Sequence, residues 1–355
     1  MAYDIHRIRN EFPSLAVTDN GKRRVYFDNP GGTQVAKRVM DRMQDYFIHM
    51  NTNGGGAFIT SQQSDALMDE GHAALADLVG SSDPGEIIFG QNMTTLTLHL
   101  SRSIGRTLSA GDEIVVTRMD HDANVSPWLL MAEDHGLKVR WMDFNPETFR
   151  YDQDALDRVL TPKTKLVAVN YASNATGTVN DIRSISRKAH EVGALVFVDA
   201  VQFTPHFVTD VKAIECDFLA CSAYKFYGPH QGLIWGKRDL LEAYTPYKVR
   251  PATNSLPGAY ETGTQSHEGM AGTLGAVEHF EWVGSEMGAG GSSRRERIIS
   301  GFNVIAEYER ELGRRLIRGL KHIPGVTIYG LTEDVDLVDR VPTVAITKEG
   351  VHPRH

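Results

Sequence analysis

Cysteine is nearly missing from this chain, with two among 355 residues, Cys216 and Cys221. They lie close together in an apolar stretch, which excludes a disulfide framework and reads as two core residues of a protein kept in a reducing compartment. No apolar run exceeds strand length, and the segment Met1–Phe12 is charged with no apolar stretch of its own. Neither membrane insertion nor secretion is therefore expected, and the predicted location is cytoplasmic. Positive charge is also scarce: 37 Lys and Arg stand against 45 Asp and Glu, for a net charge of -8, and the basic residues are scattered. That leaves no electrostatic case for nucleic acid and favours a small, soluble partner. Internal repeats and low-complexity tracts are missing too. Asp120-His121-Asp122 invites a metal, yet no further His or Cys falls at ligand spacing, so no metal site is expected.

What is present, from Glu86 to Cys221, is a recurring order of short apolar run, polar turn and helix-length segment. This pattern predicts an α/β fold with a mostly parallel sheet covered by helices. The strand candidates are Glu86–Phe89, Glu113–Thr117, Lys138–Asp143, Lys165–Asn170, Ala194–Asp199 and Asp217–Cys221. Runs such as Ala194-Leu195-Val196-Phe197-Val198 are apolar throughout, as strands buried on both faces are. Beyond about Ser266 the pattern turns to long helices, Gly269–Val283 and Arg294–Leu320, and then to strands near Val326–Tyr329 and Val341–Thr347. The length exceeds what one core serves. The expected organisation is an N-terminal segment over 1–25, a large domain over 26–265 and a smaller α+β domain over 266–355. Because the chain stops at His355 directly after a strand, that last domain is expected to be incomplete.

In open parallel sheets, ligands bind at the carboxyl ends of the strands. Polar residues collect there: Thr94 and Thr95, His121, Asn174, Asp199 with Gln202, and Ser222 with Lys225. Thr94 and Thr95 open a helix-length segment whose free amides attract a phosphate, although an ordinary N-cap reads the same way. His121 can stack on an aromatic ring or shuttle protons, or simply bond into its loop. Asp199 closes a buried strand and needs a cationic partner, which a pyridinium nitrogen or an interdomain ion pair would provide. Asn174 and Gln202 offer amide donors. Lys225 follows an apolar strand and is flanked by Tyr224, Phe226 and Tyr227, a setting that lowers a lysine pKa and lets the amine attack an aldehyde. A lysine Schiff base with a carboxylate on a ring nitrogen is what pyridoxal 5'-phosphate chemistry asks of a protein.

These residues, in this order, resemble the class V aminotransferase family of fold-type I pyridoxal-phosphate enzymes, and within it the cysteine desulfurase and selenocysteine lyase branch. The likeness runs from about Tyr26 to the end and is carried by Tyr26–Gly32, by Gly111–Ile114 with Asp120–Trp128, by Ser173–Gly177, by Val198–Gln202 and by Ser222–Pro229. The resemblance implies that Lys225 forms the Schiff base, Asp199 pairs with the pyridine nitrogen and His121 stacks on the ring. It further implies that Gln202 contacts the phenolate oxygen, Asn174 faces the substrate, and Thr95 with Ser222 holds the phosphate. Glu261-Thr262-Gly263-Thr264 looks like the family loop that reaches the phosphate of the partner subunit, which implies a homodimer with Thr264 contributing across the interface.

Three departures stand out. Desulfurases of the family carry sulfur on a cysteine in a C-terminal loop, whereas no cysteine follows Cys221, so either that loop belongs to the missing part of the last domain or this member does not carry sulfur that way. Nothing before His355 plainly replaces the arginine that grips the substrate carboxylate. Tyr224 stands where histidine often precedes the family lysine, and Asn29-Pro30-Gly31-Gly32 replaces a small Ala/Ser run. By resemblance, the expected reaction is carbon–sulfur cleavage on an L-cysteine-like amino acid, with aminotransfer or epimerisation as the alternatives. Ser222-x-x-Lys225 has the form of a serine–lysine hydrolase motif, but the accompanying S-D-N and K-T-G elements do not occur. A non-catalytic protein of the same fold would not need an intact Lys225 and Asp199.

Overall fold

A computed structural model describes residues 3–152 and 154–354 of the chain. Its centre is a seven-stranded sheet of β1 (Ile87–Gly90), β2 (Glu113–Thr117), β3 (Lys138–Met142), β4 (Thr164–Asn170), β5 (Leu195–Asp199), β6 (Phe218–Ser222) and β7 (Gly232–Gly236). Across the sheet the order is β1-β7-β6-β5-β4-β2-β3. β3, β2, β4, β5 and β6 run parallel, while β7 pairs antiparallel with both β6 and β1. Strand β7 lies beyond the six strands predicted from sequence. Its Gly-rich run Gly232-Leu233-Ile234-Trp235-Gly236 is buried throughout and follows the Lys225 turn so closely that no helix intervenes.

The parallel strands are apolar because helices cover both faces. Val196, Phe197 and Val198 are fully buried, as are Val167, Ala168 and Val169 beside them. Helix α1 (Lys37–His49), α2 (Ile59–Val79), α3 (Met93–Gly105), α4 (Ser126–His135) and α5 (Ile182–Glu191) surround the sheet. Helix α5 shows why such segments fold as they do. Asp181 caps its Ser184 amide at 3.1 Å, and Ile182, Ile185, Ser186 and Ala189 bury one stripe against the sheet.

The later helices are α6 (His267–Met287) and α7 (Arg294–Lys321), the second opened by a reciprocal capping box between Ser293 and Glu296. Helix α6 packs on α1, α2 and α7, and its Leu274, Val277 and Phe280 join the same apolar core as Val39, Leu75 and Phe226. The boundary expected at 265/266 therefore falls where the chain enters a helix shared with the large domain. Strands β8 (Val326–Tyr329) and β9 (Ala345–Lys348) form a separate antiparallel pair. No helix among the described residues is long and apolar enough to cross a membrane.

Candidate active site

The register of the parallel strands sets the site. Asp199, the last residue of β5, stands opposite Asn170 at the end of β4 and Ala220 near the end of β6. Strand β6 ends at Ser222 and passes straight into a single 3-10 turn, Ala223–Lys225, which returns the lysine over the same edge. One cavity is lined by both Asp199 and Lys225. Thr94, His121, Asn174, Gln202, Ser222 and Tyr224 also border it. Thr95 and Thr264 do not: they line a separate, larger cleft together with Phe89, Gly90 and Gln231.

Asp199 is 5 % exposed and its Oδ1 accepts one hydrogen bond, from the Val201 amide at 2.9 Å. Burial pushes its pKa up to about 6, against the pull of that amide and of the nearby His121 and Lys225. Lys225 is half-buried, and burial lowers its pKa while the charges of Asp199 and Asp28 act the other way. Its Nζ donates to the carbonyl of Pro30 and lies 4.9 Å from the centre of the Tyr224 ring. The same carbonyl accepts from Gln202 Nε2 at 2.9 Å. The Pro30 loop is held in place by Thr33, whose amide donates to the Tyr224 carbonyl at 3.0 Å and whose hydroxyl accepts from the Tyr227 amide at 2.9 Å.

Helix α3 begins one residue earlier than the threonines suggested. Asn92 is its cap, accepting from both the amide and the hydroxyl of Thr95 at 2.8 and 3.0 Å. The Met93 amide donates to Ser222 Oγ at 3.2 Å, and among the described residues the Thr94 amide has no partner. A Cβ on Gly232 would stand 2.2 Å from the Asn92 carbonyl carbon, so only glycine lets β7 back onto this helix start. His121 caps the next turn, its Nδ1 accepting from the Ala123 amide at 3.1 Å, which leaves the ring proton on Nε2. Asn174 sits in a loop pinned from behind, where the Val341 amide donates to the Gly177 carbonyl at 2.9 Å.

A buried polar cluster behind His121 was not foreseen as part of the site. The Asp120 carboxylate accepts from Asn124 Nδ2 at 2.6 Å, from the Asn170 amide at 3.0 Å and from the Thr117 hydroxyl. Asn124 in turn accepts from Trp128 Nε1 at 3.0 Å, and Tyr151 reaches the Thr117 hydroxyl at 2.9 Å. Asp120-x-x-x-Asn124-x-x-x-Trp128 spaces these groups four apart, and that spacing was the signal available in the sequence.

Comparison with known proteins gives one family model, described as aminotransferase class-V, matching residues 25–355. The aminotransferase-like protein FGM3 of Gibberella zeae is 33 % identical over 99 % of this chain and 83 % of its own length. A cysteine desulfurase of Pectobacterium atrosepticum is 30 % identical over 94 % of this chain and 81 % of its own. Among solved structures, the Escherichia coli cysteine desulfurase CsdA superposes with a TM-score of 0.81 at 26 % identity, covering 98 % of this chain and 83 % of that one. An apo cysteine desulfurase from Thermococcus onnurineus shares the fold, with a TM-score of 0.87 at 24 % identity over 100 % of this chain and 85 % of the other.

Proposed function

The chain belongs to the class-V aminotransferase family and is a pyridoxal 5'-phosphate enzyme, and on that premise we propose that it breaks the carbon–sulfur bond of an L-cysteine-like amino acid, with Lys225 as its reactive amine. The observation that carries this reading is the meeting of the Lys225 amine and the buried Asp199 carboxyl at one cavity. The residues fit the cofactor. A buried carboxyl with one hydrogen bond calls for a cation, and a protonated ring nitrogen is one. The unpartnered Thr94 amide at the start of α3 and the Ser222 hydroxyl suit a phosphate.

When bound, the cofactor supplies an aldehyde for amines and a protonated ring that draws electron density from the substrate Cα. Lys225 would hold it through its amine and would serve as the base at the substrate Cα, a task that a lowered amine pKa favours. Asp199 would keep a proton on the ring nitrogen. His121 would cover the ring face, Gln202, which donates to the Pro30 carbonyl here, would turn its amide to the phenolate oxygen, and Asn174 and Tyr224 would border the substrate. The Thr94 amide and Ser222 would serve the phosphate; Thr95, expected from sequence in that place, lies outside the cavity with its amide and hydroxyl both given to Asn92, and Thr264 would reach the phosphate of a second copy in a homodimer.

Neither cysteine is suited to accept the sulfur. Cys216 and Cys221 are fully buried, and burial pushes both thiols far above their ordinary range. The sulfur therefore goes to another thiol, with alanine left behind, or leaves as hydrogen sulfide, in which case cysteine and water give pyruvate, ammonia and sulfide. Incubation with L-cysteine, sulfur-containing analogues and alanine, scoring sulfide, alanine, pyruvate and amino-group transfer, tests the reading. Protein whose visible spectrum ignores added cofactor sinks the whole scheme. Sulfur products from none of the substrates sink carbon–sulfur cleavage and leave aminotransfer or epimerisation, which share the Cα deprotonation.

A further inference from the structure

His72 lies midway along α2, outside the cavity, and is 7 % exposed. Its Nδ1 is 2.7 Å from the Met68 carbonyl and its Nε2 is 2.8 Å from Glu261 Oε1. A carbonyl only accepts, and so does a carboxylate, so each ring nitrogen must bring a proton. The same Glu261 oxygen accepts from the Phe89 amide at 2.7 Å, and the Phe89 ring meets the imidazole edge-on at 4.9 Å. Phe89 leads through Gly90, whose carbonyl accepts from Gln231 at 2.7 Å, to the start of α3. Immediately after Glu261, Thr262, Thr264 and Gln265 line the outer cleft together with Thr95 and Gln231.

From this geometry we propose that His72 is a positioning residue that works as an imidazolium. Its buried ion pair with Glu261 fastens the loop 261–265 to the sheet, where Thr264 is turned to the cofactor phosphate of a second copy, and cofactor retention by the dimer weakens as rising pH removes the pair. The proposal rests on the reading that this loop serves a cofactor phosphate. The charged groups acting on His72 are Glu261 from the loop and Asp69 from its own helix; β1 brings the Phe89 ring and amide, and α6 brings backbone, its Met270 carbonyl lying against Gly71. Burial pulls the imidazole pKa down, but Glu261, the Met68 carbonyl and Asp69 outweigh it, and the net shift is upward. A folded-state pKa above the unfolded one means that the clamp is complete below the ordinary imidazole value and is lost as pH rises through the raised one.

The test is made on the full chain. A long-range proton–nitrogen spectrum of labelled histidine, with His72 assigned by its loss in His72→Gln, is expected to show both ring nitrogens protonated at about pH 7. Hydrogen exchange over 262–265 is expected to quicken in His72→Gln and in Glu261→Gln, the second keeping an acceptor for Phe89 while lacking the charge. Cofactor titrated by absorbance is expected to bind about tenfold more weakly to both variants at low pH, with its pH dependence flattened. A singly protonated His72 at neutral pH, or variants whose loop exchange and pH profile match the parent, would overturn the proposal. Protein that takes up no cofactor at any pH sinks the functional reading instead, and the ring protonation and loop exchange still decide whether His72 fastens the loop.

Discussion

Asn170 and Asp199 stand side by side in register at the ends of β4 and β5, and the Asn170 amide donates to a second buried acid, Asp120, at 3.0 Å. Burial raises both. Asp120 is pushed up to about 8, its rise opposed by the Thr117 and Asn124 hydrogen bonds and increased by the charge of Asp199, while Asp199 is pushed up to about 6. Asp199 lines the cavity and Asp120 lies buried behind it, and each resists ionising while the other is charged.

The cofactor-free protein is therefore expected to lose stability as pH rises. Both carboxyls bind protons more tightly folded than unfolded, where their ordinary value is 3.8, so unfolding free energy falls from about that pH upward until Asp199 and then Asp120 have ionised, at about 6 and 8. Urea midpoints at three or four pH values across this window check the slope. Asp199→Asn should flatten its lower half, and a midpoint that rises throughout would contradict the assignment.

Lys225→Ala is expected to abolish covalent attachment of the cofactor. Borohydride treatment followed by peptide mass mapping should place a reduced adduct on Lys225 in the parent and none in the variant. An adduct on another lysine would remove the basis of the proposed chemistry.

Asp199→Asn, which keeps the shape but not the charge, should lower kcat by about a hundredfold or more while changing KM much less, since its role lies in the reacting state. Steady-state rates with the best sulfur substrate measure this. An equal loss in KM alone would make Asp199 a binding group.

Gly232→Ala drives a methyl into the backbone at Asn92, where the gap is 2.2 Å, and β7 cannot shift without disturbing both its neighbours. A cost of about 1–3 kcal/mol is expected, read from the denaturant midpoint, together with weaker cofactor binding because the start of α3 moves.

Thiol counting with Ellman's reagent should find no reactive cysteine in the native protein and two after denaturation, as the burial of Cys216 and Cys221 requires. Native reactivity at Cys221, whose pKa is raised by burial despite a hydrogen bond to Thr204, would reopen its candidacy as a sulfur acceptor.

The parallel strands were legible because burial on both faces leaves an unbroken apolar signature, and Asp199, Ser222 and Lys225 were legible because each interrupts or follows such a run. Strand β7 escaped because its two glycines and its closeness to the Lys225 turn look like loop sequence; its place is decided by pairing with β6 and β1, which no local pattern carries. The same applies to Pro30, whose contribution is a backbone carbonyl, and to His72 and Glu261, which meet across 189 residues of sequence. Asp120 drew no role from the sequence beyond a metal possibility that ligand spacing excluded, because its partners, Thr117, Asn124 and Asn170, are hydrogen-bond donors whose convergence exists only once β2 and β4 pair.

The carbonyl shared by Lys225 and Gln202 bears on how the enzyme is assembled. It ties the residues that follow two neighbouring strands to one early segment of the chain, so a change around Pro30 moves both side chains together.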